Sequence, residues 1–297
     1  MANANNRSEP GIACELSPER VIAARVNNDG MSIDAYTARP IASGALTPHL
    51  SEGNVANPGA VQQAVTDALT TVGSRSRDVV AILPDASVRV SLLDFDSFPE
   101  KRQEADSVVR FRLKKALPFE VEEAQVSYDV SRTNGRVRVV AAVVLSAVLA
   151  EYEGVFRALG YQPGVVLPST LAALGNIESG DPTLVIKSDS ATTTLSIVGG
   201  GELLLFRTLE NPGNTPPNAD QLVSDVHASL VFFQDTYNMR AERILIGGLI
   251  DAADVGAVLQ AQTEIPVRNL VAERHVAAAR PNFPASSLAG VVGALLG

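Results

Sequence analysis

The sequence predicts an α/β protein made of two lobes that repeat one strand-and-helix unit. Short apolar runs alternate with amphipathic helical stretches, and the order strand, strand, strand, helix, strand, helix occurs twice along the chain. Composition agrees: 297 residues are 46% hydrophobic and 19% charged, with 24 Lys+Arg against 33 Asp+Glu and a net charge of −9. At about 100 to 200 residues per domain, such a chain can bury two cores without covalent staples.

Composition also narrows the chemistry. A single cysteine, Cys14, rules out an intrachain disulfide and a Cys-based zinc site, and suits a reducing compartment. The first ten residues, MANANNRSEP, have neither a basic region nor an apolar stretch. The longest apolar run, 139–150, falls short of the roughly 18 residues that span a bilayer, so neither secretion nor a membrane span is expected. An isoelectric point near 4.9 argues against nucleic acid as a partner, because phosphate affinity needs a basic face.

Residues 11–16 and 20–26 read as strands split by Ser17-Pro18-Glu19, and 31–38 follows the hairpin signal Asn27-Asn28-Asp29-Gly30. Residues 59–72 place Val61, Val65, Leu69 and Val72 at helical spacing, and strands at 78–83 and 87–94 come next. The charged helix 99–116 carries acids at its start and Arg110, Arg112, Lys114 and Lys115 towards its end, as the macrodipole favours. Strands 124–131 and 136–144 meet at Arg132-Thr133-Asn134-Gly135; helix 146–159 and strand 163–167 then close the first lobe near 175.

The second lobe restates the pattern with strands at 182–188, 192–198 and 202–208, the last two joined by Gly199-Gly200-Gly201. A loop at 211–219 leads to the helix 220–238, strand 243–246, helix 252–261, a short strand at 265–267 and a closing apolar helix at 285–296.

Five segments carry a resemblance: 110–130 (RFRLKKALPFEVEEAQVSYDV), 143–166, 192–209, 229–248 (SLVFFQDTYNMRAERILIGG) and the apolar tail 288–297. With these the chain resembles PilM, the type IV pilus assembly proteins of the actin-like ATPase superfamily, along nearly its whole length. The resemblance implies a duplicated ribonuclease-H-like fold with two lobes and a central cleft. The first lobe would span 1–175 with an inserted helix-and-hairpin subdomain at about 96–144. The second would span 176–297, its closing helix packing back on the first. It also implies a cytoplasmic scaffold, peripheral to the inner membrane, that grips the N-terminal segment of a PilN-like membrane protein in a first-lobe groove and meets other pilus assembly components. The residues expected at that groove are Arg110, Arg112, Leu117, Pro118 and Phe119. The cytoplasmic domain of GspL, from type II secretion, shares the fold and a related role.

In the actin-like pattern two Asp-x-Gly hairpins hold phosphate and magnesium, since tight glycine turns offer N–H groups to anionic oxygens. Here Glu15-Leu16-Ser17 and Lys187-Ser188-Asp189 stand in those slots. The first keeps an acid and loses the glycine; the second puts a lysine where magnesium would need an acid. If a nucleotide is retained, the resemblance places Glu15, Ser17, Lys187, Asp189, Ser190 and Thr192 at its phosphates and Gly247 and Gly248 at its adenosine. Between the third strand and the long helix of the second lobe, PilM relatives insert a small helical subdomain. Only 211–220 remains here, so that subdomain is largely deleted. An enclosed adenine site would lose a wall. The expected cofactor is therefore none, with ATP and magnesium as the alternative.

Other chemistry finds little support. His49, His227 and His275 lie far apart with no acid or cysteine at ligand spacing, so no metal is assigned. Glu122, Glu123 and Asp129 flank a strand and read as solvated, and no catalytic residue is assigned. Two functional readings stay open: a PilM-like interaction protein without hydrolysis, and an ATP-binding switch that opens and closes its cleft.

Overall fold

A computed structural model of the chain describes residues 10–73, 76–133, 135–175, 177, 180–276 and 283–297. The N-terminal residues 1–9 and Asn134 of the expected Asn-Gly turn lie outside the described residues. The chain opens with β1 (Ile12–Leu16), β2 (Arg20–Val26), β3 (Ile33–Pro40), α1 (Pro58–Val72) and β4 (Asp78–Leu83). An insertion follows as β5 (Arg89–Phe95), α2 (Arg102–Leu113), β6 (Ala124–Thr133) and β7 (Arg136–Leu145). The first lobe ends with α3 (Ser146–Ala158), β8 (Gln162–Pro168) and α4 (Ser169–Leu174). The second lobe runs β9 (Thr183–Ser188), β10 (Thr192–Gly199), β11 (Glu202–Glu210), α5 (Ala219–Tyr237), β12 (Arg243–Gly248), α6 (Ala252–Thr263), β13 (Val267–Asn269) and α7 (Ala289–Leu296).

Two five-stranded sheets share one topology, β3-β2-β1-β4-β8 and β11-β10-β9-β12-β13, and the insertion forms a third sheet, β5-β7-β6. In each large sheet the first three strands are an antiparallel meander, and the next two run parallel to the first. β1 is buried on both faces: Ile12, Cys14 and Leu16 join the core under α1 and α3, while Ala13 joins the core under α4 and α7.

Local chemistry sets the helix ends. Asn57 caps α1 through Ala60 N–H, with Pro58 at the first helical position where its missing donor costs nothing. A reciprocal capping box between Asn218 and Gln221 starts α5, and Asn238 ends it in the left-handed conformation.

Some boundaries move from their sequence positions. The charged helix is shorter than 99–116: α2 stops at Leu113, and Lys114–Ala116 continue as a 3-10 turn. The closing helix starts as a 3-10 turn at Ala285–Leu288. The short strand lies at 267–269 instead of 265–267, because Pro266 has no N–H to give and offers only its carbonyl, to Ile244 N–H at 2.9 Å. α4 has no helical signature in the sequence, since its 6 residues are too few to show a helical period. Where the resemblance places a small subdomain, β11 passes through a single 3-10 turn, Pro212–Asn214, into α5.

The insertion also bridges the lobes. Ser131 Oγ donates to Glu202 Oε1 at 2.7 Å, and the Arg138 guanidinium, paired with Asp94 at 2.8 Å, lies 5.4 Å from the centre of the Tyr237 ring.

Candidate functional site

β1 and β9 are the central strands of their sheets, and both end at the boundary between lobes. Register therefore delivers Glu15 and Lys187 to the same place from opposite sides. Lys187 Nζ donates to Glu15 Oε1 at 2.6 Å, and Ser169 Oγ, from the start of α4, donates to the same oxygen at 2.7 Å. Lys187 also contacts Ser169 Oγ directly. Glu15 is 5% and Lys187 4% exposed, so this is a desolvated ion pair, strong only because its partners are in place. Burial pulls the Lys187 ammonium down, but Glu15 and Asp85 outweigh it and hold the group above its ordinary value.

Further contacts join the hairpins. Ser17 Oγ donates to Glu19 Oε1 at 2.8 Å, and Ser190 Oγ of the second hairpin donates to Glu19 Oε2 at 2.8 Å. Arg20 reaches Ser287 Oγ at 2.9 Å. Asp85, in the turn after β4, accepts from Thr170 N–H at 2.9 Å, from the Thr170 hydroxyl, and from Thr194 Oγ1 of β10 at 3.0 Å. Asp189 turns inward on its own hairpin, where Oδ1 accepts from Ala191 N–H at 2.8 Å and Thr192 N–H at 2.7 Å. Burial pushes the Asp189 carboxyl up to about 7, against the Thr192 N–H, which favours its charged form; Glu19 adds to the rise.

The two glycines face protein. A Cβ on Gly247 would press on Ala289, and Gly248, with φ of +88°, lies against the Ser188 backbone. Ser287 Oγ donates to the Gly248 carbonyl at 3.2 Å. The eight nucleotide candidates are thus gathered around one boundary, with most of their polar groups engaged with each other or with neighbouring chain. This donor set does not fit a magnesium-bound triphosphate: the lysine is neutralised by Glu15, the one acid in the second hairpin serves its own turn, and Gly248 is packed. What stays open between the lobes is a polar hollow of about 630 Å³ lined by Arg89, Arg207, Asn211 and Thr192 among others.

The five groove candidates are placed differently. Leu117 and Phe119 pack against the core of the insertion. Arg110 donates to the Val121 carbonyl at 2.8 Å, and Arg112 lies 5.0 Å from the centre of the Phe95 ring. None of the five, Pro118 included, lines the apolar hollow of about 440 Å³ between the insertion and the first sheet. That hollow is floored by Leu149, Ala150 and Glu153 of α3 and walled by Val126 and Ser127 of β6 and Val166 and Leu167 of β8. Both walls are outer strands of their sheets. The sequence hides this site because its lining comes from five separate elements, each of which shows only ordinary strand or helix alternation.

Comparison with known proteins bears on the fold. No family model matches the chain, and no curated protein matches it. Among solved structures, the PilM-PilN type IV pilus biogenesis complex superposes with a TM-score of 0.81 at 18% identity, covering 96% of this chain and 97% of that one. A Bacteroides thetaiotaomicron protein with an actin-like ATPase fold gives 0.54 at 9% identity, over 94% of this chain and 93% of that one. The chain has the actin-like fold. The cytoplasmic domain of EpsL, an inner-membrane component of the type II secretion system of Vibrio cholerae, gives 0.53 at 13% identity, over 96% and 92% of the two chains. Within this actin-like fold no helix among the described residues is long and apolar enough to cross a membrane, and no group of metal-ligating side chains is found among them.

Proposed function

We propose that the chain is a PilM-like adaptor of type IV pilus assembly, or of the related type II secretion apparatus. In this reading it holds the N-terminal cytoplasmic segment of a PilN-like inner-membrane protein and works at the inner face of that membrane without hydrolysing a nucleotide. The observation that carries it is the apolar hollow between β6 and β8. Two unpaired strand edges offer backbone hydrogen bonds to an extended peptide, and Leu83, Val88, Val144 and Leu149 offer pockets for its side chains. The superposition on a chain of the PilM-PilN type IV pilus biogenesis complex supports the choice of partner.

The Glu15–Lys187 pair supports the absence of nucleotide chemistry. An actin-like switch needs a cleft whose two hairpins close on phosphate; here the hairpins close on each other. Calorimetric titration of the full chain with Mg-ATP, then with a synthetic peptide of the PilN-like segment encoded in the same genome, tests both halves. Peptide binding without an ATP signal is expected. Micromolar ATP binding would restore the switch reading, and silence with the peptide would remove the adaptor.

A further inference from the structure

The hollow beside α3 has a continuation. Val126 and Ser127, which wall it, also line a second hollow of about 410 Å³ between β6 and the start of α2. β6 is an outer strand, so one unpaired edge runs through both.

The two hollows differ in charge. The first has one charged lining residue, Glu153, whose carboxylate is already paired with Arg157 at 2.9 Å. The second contains Arg102, Arg110 and Arg132 together with Glu100 and Asp106. Arg110 is committed to the Val121 carbonyl, and Asp106 accepts from the Tyr128 hydroxyl at 2.6 Å. The guanidinium groups of Arg102 and Arg132 make no hydrogen bond or ion pair among the described residues, and both side chains are exposed. Against them stands one free carboxylate, that of Glu100, so the end of the channel keeps a surplus positive charge. Guanidinium forks are matched to carboxylates in shape as well as charge. From Val126 to Arg132 the strand advances by about 20 Å, the length of some six extended residues.

We propose that the partner segment lies extended along β6, with apolar side chains in the first hollow and an acidic side chain, about six residues away, held by Arg102 and Arg132. This rests on the adaptor reading and adds the chemistry of the segment to it. The probe is the labelled N-terminal segment of the PilN-like protein encoded in the same genome, with a second version whose Asp and Glu residues are replaced by Asn and Gln. Both are titrated by fluorescence anisotropy against the full chain and the Arg102→Gln/Arg132→Gln double variant, whose thermal melt should match the parent.

The expected result is that the native segment loses about tenfold in affinity on the double variant, while the amide version binds both proteins at that weaker level. Equal affinity of the native segment for both proteins, or full-strength binding of the amide version, overturns the proposed carboxylate contact and leaves the adaptor standing. No binding of the native segment to the parent chain overturns both.

Discussion

Lys187 Nζ lies 2.6 Å from Glu15 Oε1 across the boundary between the two sheets, with both side chains buried. Each residue stands one position before the end of the central strand of its own lobe, in the slot where the resemblance puts a phosphate hairpin. The pair ties the two lobes together through a buried contact.

Removing one partner should be costly. Lys187→Met leaves the Glu15 carboxylate buried without its cation and should lower unfolding free energy by about 3 to 5 kcal/mol in urea. Adding Glu15→Leu to it should recover most of the loss, because an apolar pair avoids the desolvation that the ions incur. A single variant as stable as the parent would show that the pair is not closed in solution.

Gly290 of α7 is the position that makes room for this pair. A Cβ there would press on the Glu15 carboxylate, whose other oxygen is held by Lys187 and Ser169. Gly290→Ala should cost about 2 kcal/mol, the range for a forced shift in a packed site. In a Glu15→Ala background the same change should cost little, so a double-mutant cycle would give a coupling near the whole effect. Additive costs would place the strain elsewhere.

Asp189 predicts a pH dependence. Its carboxyl moves from 3.8 to about 7 on folding, so the folded chain holds the proton more tightly than the unfolded one. Its stabilising contribution is full below pH 3.8 and is lost as pH rises through about 7. Asp189→Asn keeps the oxygen that accepts from Ala191 and Thr192 and cannot ionise. The variant should match the parent near pH 4 and exceed it near pH 8.5 by up to about 4 kcal/mol. Thermal melts at the two pH values check this, and a difference that does not change with pH would refute it.

Ala150 lines the apolar hollow from an exposed position on α3. Ala150→Glu should leave the melt within about 0.5 kcal/mol of the parent, as a surface change does, and weaken the PilN-like peptide by tenfold or more in calorimetry, since an unpaired charge would enter the contact. Unaltered affinity would move the peptide to another surface.

How much could be read in advance depended on the range of the interaction. Strands such as Arg20–Val26 and Arg243–Gly248 and helices such as Pro58–Val72 and Ala219–Tyr237 lie within a residue or two of their sequence positions, because alternation, caps and turn residues act over a few neighbours. The closing helix, α4 and the Pro266 strand were blurred, being short or set by a partner strand. The hairpin candidates were legible as a group, since the resemblance puts Ser17 in a glycine slot and Lys187 in an acid slot. Their pairing was not, because nothing local says that a lysine 172 residues away answers a glutamate. Asp85, Ser169 and Thr170 gave no signal beyond Pro-Asp and Pro-Ser turn chemistry, and the expected groove residues 117–119 follow the 3-10 turn after α2, with Leu117 and Phe119 on the insertion core.

By itself, the sequence determined the α/β class and the duplicated unit, which are written in residue spacing, while the short link after β11 and the two altered hairpins stand out only against the pattern that the resemblance supplies. Only the tertiary structure decided that the altered hairpins close on one another, that the insertion reaches across to Glu202 and Tyr237, and that the open apolar surface lies between β6 and β8. Those are contacts between elements far apart in the chain. Their net energy is the gain from burial and pairing less the cost of desolvation, a balance that no local pattern encodes and that exists only after the sheets have been brought together.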